Sequence, residues 1–255
     1  MAQPVWQSDA IEPLTQESLA RLIDNRIPAV KVAQFAQQEE MQSLRAALLA
    51  NADKTHSIPQ VARLGISQYE QGLQGSKAGY FATASELETQ FAGFFGRSFS
   101  PVQRLIESLQ NCGFDADIMT EPGMGRYFAG NGKLRNGFSP IHVDFAPQDS
   151  TGWAIADAKA QLAWNLYLQV PTEGGALLLW DRLWTPEDDA YQVDGNYYYQ
   201  EQVVHGARAL RIEVSEGEML IINSRNYHAV EESRDRLAFG SFISVFADNS
   251  LRLWS

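Results

Sequence analysis

The chain has a single cysteine, Cys112, among its 255 residues. No intrachain disulfide can staple it, and nothing argues for an oxidising compartment. Long apolar runs are also missing. The stretch 176–180 (ALLLW) is among the longest, far short of the roughly 20 residues a membrane-spanning helix needs. The opening MAQPVWQSDAIEP has neither the basic nor the apolar segment of a secretory signal, so a cytoplasmic protein that avoids membranes is expected. Positive charge is scarce: 20 Lys and Arg stand against 31 Asp and Glu, for a net charge of −11. Such a surface repels phosphate backbones, and the basic residues are scattered, so nucleic acid is not an expected partner. Repeats, low-complexity tracts and Gly-, Pro- or Ser-rich linkers are absent as well. One domain over 1–255 is therefore expected.

What remains is an ordinary globular composition, 45% hydrophobic and 20% charged, enough to bury a sizeable core. The pattern changes near residue 115. Before it, helical periodicity dominates, over 15–24, 32–50, 85–95 and 102–112. The last of these follows Ser100-Pro101 and stops at Gly113, a reasonable start and end for a helix. After it come short strand-like runs: 125–129, 140–145, 161–170, 176–180, 209–214, 219–223, 227–230 and 237–246, with Ser215–Glu218 (SEGE) reading as a hairpin turn. Strands with short connections and no helices between them predict a mainly β fold with helical support. Residues 1–115 would form the support and 116–255 a double-stranded β-helix, or jelly roll.

Histidine is also rare, with four in the chain, and two of them carry the strongest chemical signal. His142 and Asp144 are two apart in an expected strand, so both side chains project to one face. His228 follows on a later strand. Two imidazoles and one carboxylate on one face leave coordination positions open, the arrangement of non-haem iron(II) oxygenases. Alone, His-x-Asp is weak, because a chain with so many acids produces it by chance and an ordinary surface ion pair explains it equally well. The later histidine, the Gly174-Gly175 strand entry and the arginine opening the last strand occur in the order such a centre requires. His56, in a polar loop, reads as solvated. His205 has no acid at ligand spacing, and a place lining the pocket is the lesser reading for it.

An oxygenase of this kind must also hold the distal carboxylate of 2-oxoglutarate, and a guanidinium suits that task. Arg236, eight residues after His228, shares a face with the small Ala238 and Gly240. Arg234 and Arg126, the latter with Tyr127 beside it, are the competing assignments. The segment 180–202 holds two Trp and four Tyr. It suits either an exposed loop or a lid over an amphipathic small molecule.

Three stretches carry a family likeness: YLQVPTEGGALLLWDRLWTPED, SEGEMLIINSRNYHAV and RLAFGSFISVFADNSLRLWS. With the early IPAVKVAQFAQQEEMQSLRAALL, they resemble the Fe(II)/2-oxoglutarate dioxygenase superfamily. Within it they resemble the bacterial group of indole-alkaloid carbon halogenases and N-acyl amino-acid hydroxylases. The resemblance implies iron(II) held by His142, Asp144 and His228, 2-oxoglutarate held by the arginine after the second histidine, and O₂ and a small molecule as partners. In the halogenases a glycine or alanine stands where Asp144 stands here, so hydroxylation of an unactivated C–H of an amino-acid derivative or alkaloid-like compound is implied. Desaturation or cyclisation would use the same residues. A cupin-type metal-dependent isomerase shares the jelly roll but usually needs more imidazoles, and a non-catalytic jelly-roll binding module would need no triad.

Overall fold

The computed structural model describes residues 5–51, 61–70, 75–96 and 98–255; His56 lies outside them. In chain order the elements are β1 (Ile11–Pro13), α1 (Gln16–Ile23), β2 (Ala29–Val32), α2 (Gln38–Asn51), β3 (Val61–Leu64), α3 (Lys77–Phe95) and α4 (Pro101–Asn111). Then follow β4 (Ala116–Ile118), β5 (Thr120–Glu121), β6 (Gly125–Arg126), β7 (Asn131–His142) and the one-turn α5 (Ala146–Asp149). β8 (Ala160–Gln169), β9 (Leu177–Leu183), β10 (Ala209–Ile212), β11 (Met219–Asn223), β12 (Asn226–Val245) and β13 (Leu251–Trp254) complete the fold.

Local chemistry explains the helix starts. Thr15 caps α1 by accepting from the Ser18 N–H, while the Ser18 hydroxyl accepts from the Thr15 N–H. Ser76 and Ser100 cap α3 and α4, the latter with Pro101 in its first turn. α3 thus begins at Lys77, earlier than the hydrophobic periodicity suggested. The expected helix over 32–50 divides. Val32 ends β2, Gln34 takes a positive φ of 52° and α2 starts only at Gln38.

One 11-stranded sheet carries the jelly roll, bent so that it has two arms. The first arm runs β1-β2-β11-β8-β12-β13-β4; the second contains β10, β9, β12, β7 and β3. β2 pairs with β11 and β3 with β7, so strands from before residue 115 are hydrogen-bonded into the same sheet. The expected strands 227–230 and 237–246 are one continuous β12, which passes from one arm to the other through three register shifts between His228 and Arg236. Residues 215–218 do not close a hairpin: β10 pairs with β9 and β11 with β8 and β2, so the turn crosses between arms.

Alternation along β8 separates the two cores. Leu162, Trp164, Leu166 and Leu168 pack with the helices, together with Met219, Ile221 and Phe239. Ala163 and Tyr167 face the other way, with Leu220, Ile222, Leu177 and Ala238, into the space between the arms. Burial on both faces is why β8 reads as a nearly unbroken apolar run. Because Ala163 and Ala238 are small, the space between the arms is not filled.

Candidate active site

His142 ends β7 and His228 lies near the start of β12, and the two are direct cross-strand partners. Their rings approach to 4.2 Å between centroids. Asp144 lies past the end of β7, not inside a strand, yet the backbone keeps its alternation. Val143 is buried in a separate apolar cluster, while the Asp144 carboxylate turns back to the histidines. Its Oδ2 is 3.3 Å from His228 Nε2 and 3.9 Å from His142 Nε2. One ligand atom from each of the three residues lies within 4.8 Å of the others. Ser224 secures this position from both sides, accepting from the Asp144 N–H at 2.9 Å through its carbonyl and donating its hydroxyl to the Asp144 carbonyl at 2.8 Å.

Both imidazoles are oriented in the same manner. His142 Nδ1 lies 2.8 Å from the Pro140 carbonyl and His228 Nδ1 2.9 Å from the Asn226 carbonyl. A carbonyl accepts from each Nδ1–H, so each ring is fixed with its Nε2 turned toward Asp144, in position to ligate a metal. Burial, reinforced by His228, pushes the His142 pKa down to about 3, so the ring stays neutral. Burial alone would raise the Asp144 pKa. Contact with His228 and the fields of His142 and Lys133 outweigh it and hold the carboxyl well below the usual carboxylate range. A neutral His142 ring and an ionised Asp144 carboxylate are the protonation states a divalent metal requires of them. The donor set fits iron(II).

A small inner chamber of about 90 Å³ opens beside the triad, between the arms. Arg236, buried, lines it; its Nε donates to the Gly175 carbonyl at 3.1 Å and its guanidinium lies over the Tyr167 ring at 5.1 Å. Arg236 is thus brought into the same cavity as His142, Asp144 and His228, with Ala238 beside it. Gly240 does not line the chamber. The two competing arginines, Arg126 and Arg234, do not line it either. Arg126 is exposed in the β5–β6 hairpin, 3.7 Å from Asp117, and Arg234 is exposed on β12. Tyr127 is fully buried on the helical side, donating to the Glu121 carboxylate among Tyr80, Phe81 and Trp153. The pair precedes the start of β7 at Asn131, whereas His142 stands at the far end of that strand. His205 is exposed after a short 3-10 turn.

The chamber opens into an outer cleft of about 1060 Å³. Residues 192–199 fold down beside β7. The Tyr199 N–H donates to the Ile141 carbonyl at 2.8 Å, Tyr198 bridges to His142, and the Tyr197 ring stands edge-on to His142 at 5.4 Å. The aromatic segment therefore forms a wall of the cleft next to the triad. Lys133, Arg135, Asn165 and Tyr167 also line the chamber, and sequence reasoning did not single them out. Lys133 and Arg135 carry a detectable signal, two cations at alternate positions of one strand; Asn165 and Tyr167 are placed only by tertiary pairing.

The family model for the carrier-protein-independent halogenase WelO5 matches residues 10–255. Leucinostatins biosynthesis cluster protein S of Purpureocillium lilacinum is 34% identical over 215 residues, 78% of this chain and 87% of that protein. The L-gamma-glutamyl-L-propargylglycine hydroxylase of Streptantibioticus cattleyicolor is 28% identical over 181 residues, 69% of this chain and 66% of that one. Among solved structures, an N-substituted L-amino acid dioxygenase from Burkholderia ambifaria AMMD superposes with a TM-score of 0.68 at 15% identity, covering 94% of this chain and 91% of its own.

Proposed function

Since the chain belongs to the family of the carrier-protein-independent halogenase WelO5, we propose that it is an Fe(II)/2-oxoglutarate-dependent oxygenase that hydroxylates an unactivated C–H of an amino-acid derivative. The observation that carries the reaction type is the Asp144 carboxylate, 3.3 Å from the Nε2 of His228 and on the same centre as His142. A carboxylate there occupies the position that a halide would need. The amino-acid-derived substrate is supported by the named relatives, one a hydroxylase and one a dioxygenase of such compounds.

Iron(II), with 2-oxoglutarate and O₂, supplies the oxidising power for the C–H bond when bound. The chain's own residues bind and orient. His142, Asp144 and His228 would hold the metal with three donors beside the chamber. Arg236, stacked on Tyr167 and tethered to Gly175, holds the distal carboxylate of 2-oxoglutarate. Tyr197 and Tyr198, beside His142, shield it from water.

The test is turnover of free and N-substituted amino acids by iron-loaded protein in saturating chloride, followed by mass spectrometry and succinate release. The expected product has gained one oxygen atom, with stoichiometric succinate. A chlorinated product from the unaltered protein would overturn the hydroxylase reading, and absence of 2-oxoglutarate consumption would overturn the oxygenase reading.

A further inference from the structure

An acidic protein gathers cations around this one cavity. Lys133, Arg135 and Arg236 line the inner chamber, and Arg63 joins Lys133 and Arg135 on the outer cleft. Arg63 is matched by Glu70 at 2.6 Å. Lys133 and Arg135 have no ion-pair partner among the described residues; Arg135 only donates to the carbonyl of Phe138 at 3.3 Å in its own strand, and Lys133 lies over the Phe242 ring at 6.0 Å. Being two apart in β7, they share a face. Arg135 is the cross-strand partner of Arg236, so the pair forms a basic rim between the buried Arg236 and the cleft. Uncompensated cations held half-buried cost solvation free energy unless a ligand anion offsets them.

Charge balance shows that 2-oxoglutarate alone does not supply that anion. Its distal carboxylate is matched by Arg236, and its proximal carboxylate together with Asp144 would match a divalent metal. Lys133 and Arg135 remain. Other lining residues of the cleft are acidic, Asp149, Asp189 and Asp194 among them. Burial, with Asp144 and Asp189 nearby, pushes the Asp149 carboxyl up to about 7, so that part of the lining resists further negative charge.

Resting on the oxygenase reading above, we propose that Arg135, assisted by Lys133, binds a free carboxylate of the substrate and so determines which molecules are accepted and how they lie. The substrate's carboxylate docks on β7, its far end extends along the tyrosine and acidic wall, and the carbon between them faces the triad. Esters and amides of the same compounds are poor ligands.

The experiment measures calorimetric affinities, without O₂, for protein loaded with iron(II) and 2-oxoglutarate. The panel is free and N-acylated L-amino acids, each as the carboxylate and as its carboxamide. The tightest acid should bind about tenfold or more better than its amide, as expected for a charge-assisted pair. Arg135→Met should remove that preference while leaving the 2-oxoglutarate affinity within about threefold, and Arg135→Lys should restore part of it. Equal affinity for acids and amides, or no binding by any acid, overturns the proposal. So does an Arg135→Met variant that keeps the preference and loses 2-oxoglutarate instead. If Arg135→Met does not fold, Lys133→Met and the acid-to-amide ratio of the unaltered protein decide. Binding of iron and 2-oxoglutarate by the same sample reads the oxygenase proposal separately: protein that loads both yet does not prefer acids refutes only the carboxylate subsite.

Discussion

His142 and His228 each donate Nδ1–H to a carbonyl two residues earlier in the chain, so their Nε2 atoms are aimed before any metal arrives. Arg236 is aimed likewise, by Gly175 and by the ring of Tyr167. These residues have separable tasks, and two variants should separate them. His228→Ala should lose stoichiometric iron in metal analysis, since one of three ligands disappears. Arg236→Ala should keep its iron but raise the KM for 2-oxoglutarate by about tenfold or more, the effect expected on removing a charge-assisted pair. Retained iron in His228→Ala, or an unchanged KM in Arg236→Ala, would contradict the assignment. The pairing of His142 with Asp144 was legible in the sequence, because strand alternation puts them on one side whether or not the strand continues through them, and the expected place of Arg236 in the same cavity is met. Ser224, which secures Asp144 through two backbone contacts, left no signal, since a serine in a turn looks the same whatever it touches.

At the scale of elements, β12 does more than any other strand. It carries His228 between β7 and β9, bends, then carries Ala238 and Phe239 between β7 and β8. Gly240 permits its close approach to β8: a Cβ there would lie 2.0 Å from the Trp164 carbonyl oxygen and 2.9 Å from the Asn165 Cα. Backbone cannot yield as a flexible side chain would. Gly240→Ala should therefore cost about 2 kcal/mol or more in denaturant unfolding and disturb the 2-oxoglutarate site through the shifted strand. Gly93→Ala in α3 is the contrasting case, because an added Cβ meets no described atom within 4 Å. It should stabilise by about 0.5–1 kcal/mol through helix propensity. Equal effects would show that glycine spacing, not close approach, matters at 240. The polar run from Glu231 to Asp235 reads as a turn because strand propensity is low there. Pairing with β7, interrupted by bulges, keeps it in the ladder with Asp235 at a φ of 55°.

The whole molecule is a bent sheet with helices on the outer face of one arm and the cavity of the triad between the arms. Phe91 of α3 joins the helical layer to the sheet, 4.9 Å from the Phe128 ring and 6.3 Å from Phe239. Phe91→Ala should lower stability by about 3–5 kcal/mol, a Tm loss on the order of 10 °C, while protein still folded at low temperature keeps its full iron content. Iron lost in proportion to stability would show that the helical layer shapes the site rather than supporting it from outside.

The amino-acid order by itself determined the fold class, the start and stop of α4 and the shared side of His142 and Asp144. Each of these follows from periodicity, capping chemistry or alternation within a few residues, and local rules suffice where the deciding contacts are local. Only the tertiary structure decided that 227–230 and 237–246 are one strand, that the SEGE turn crosses between arms, and that Arg236 lines the triad cavity while Arg126 and Tyr127 stand apart. It alone brought Lys133 and Arg135 to the rim of the chamber. Those outcomes depend on which strands pair at long sequence separation, and pairing is set by the summed burial of both sheet faces, a quantity that no short window of sequence contains.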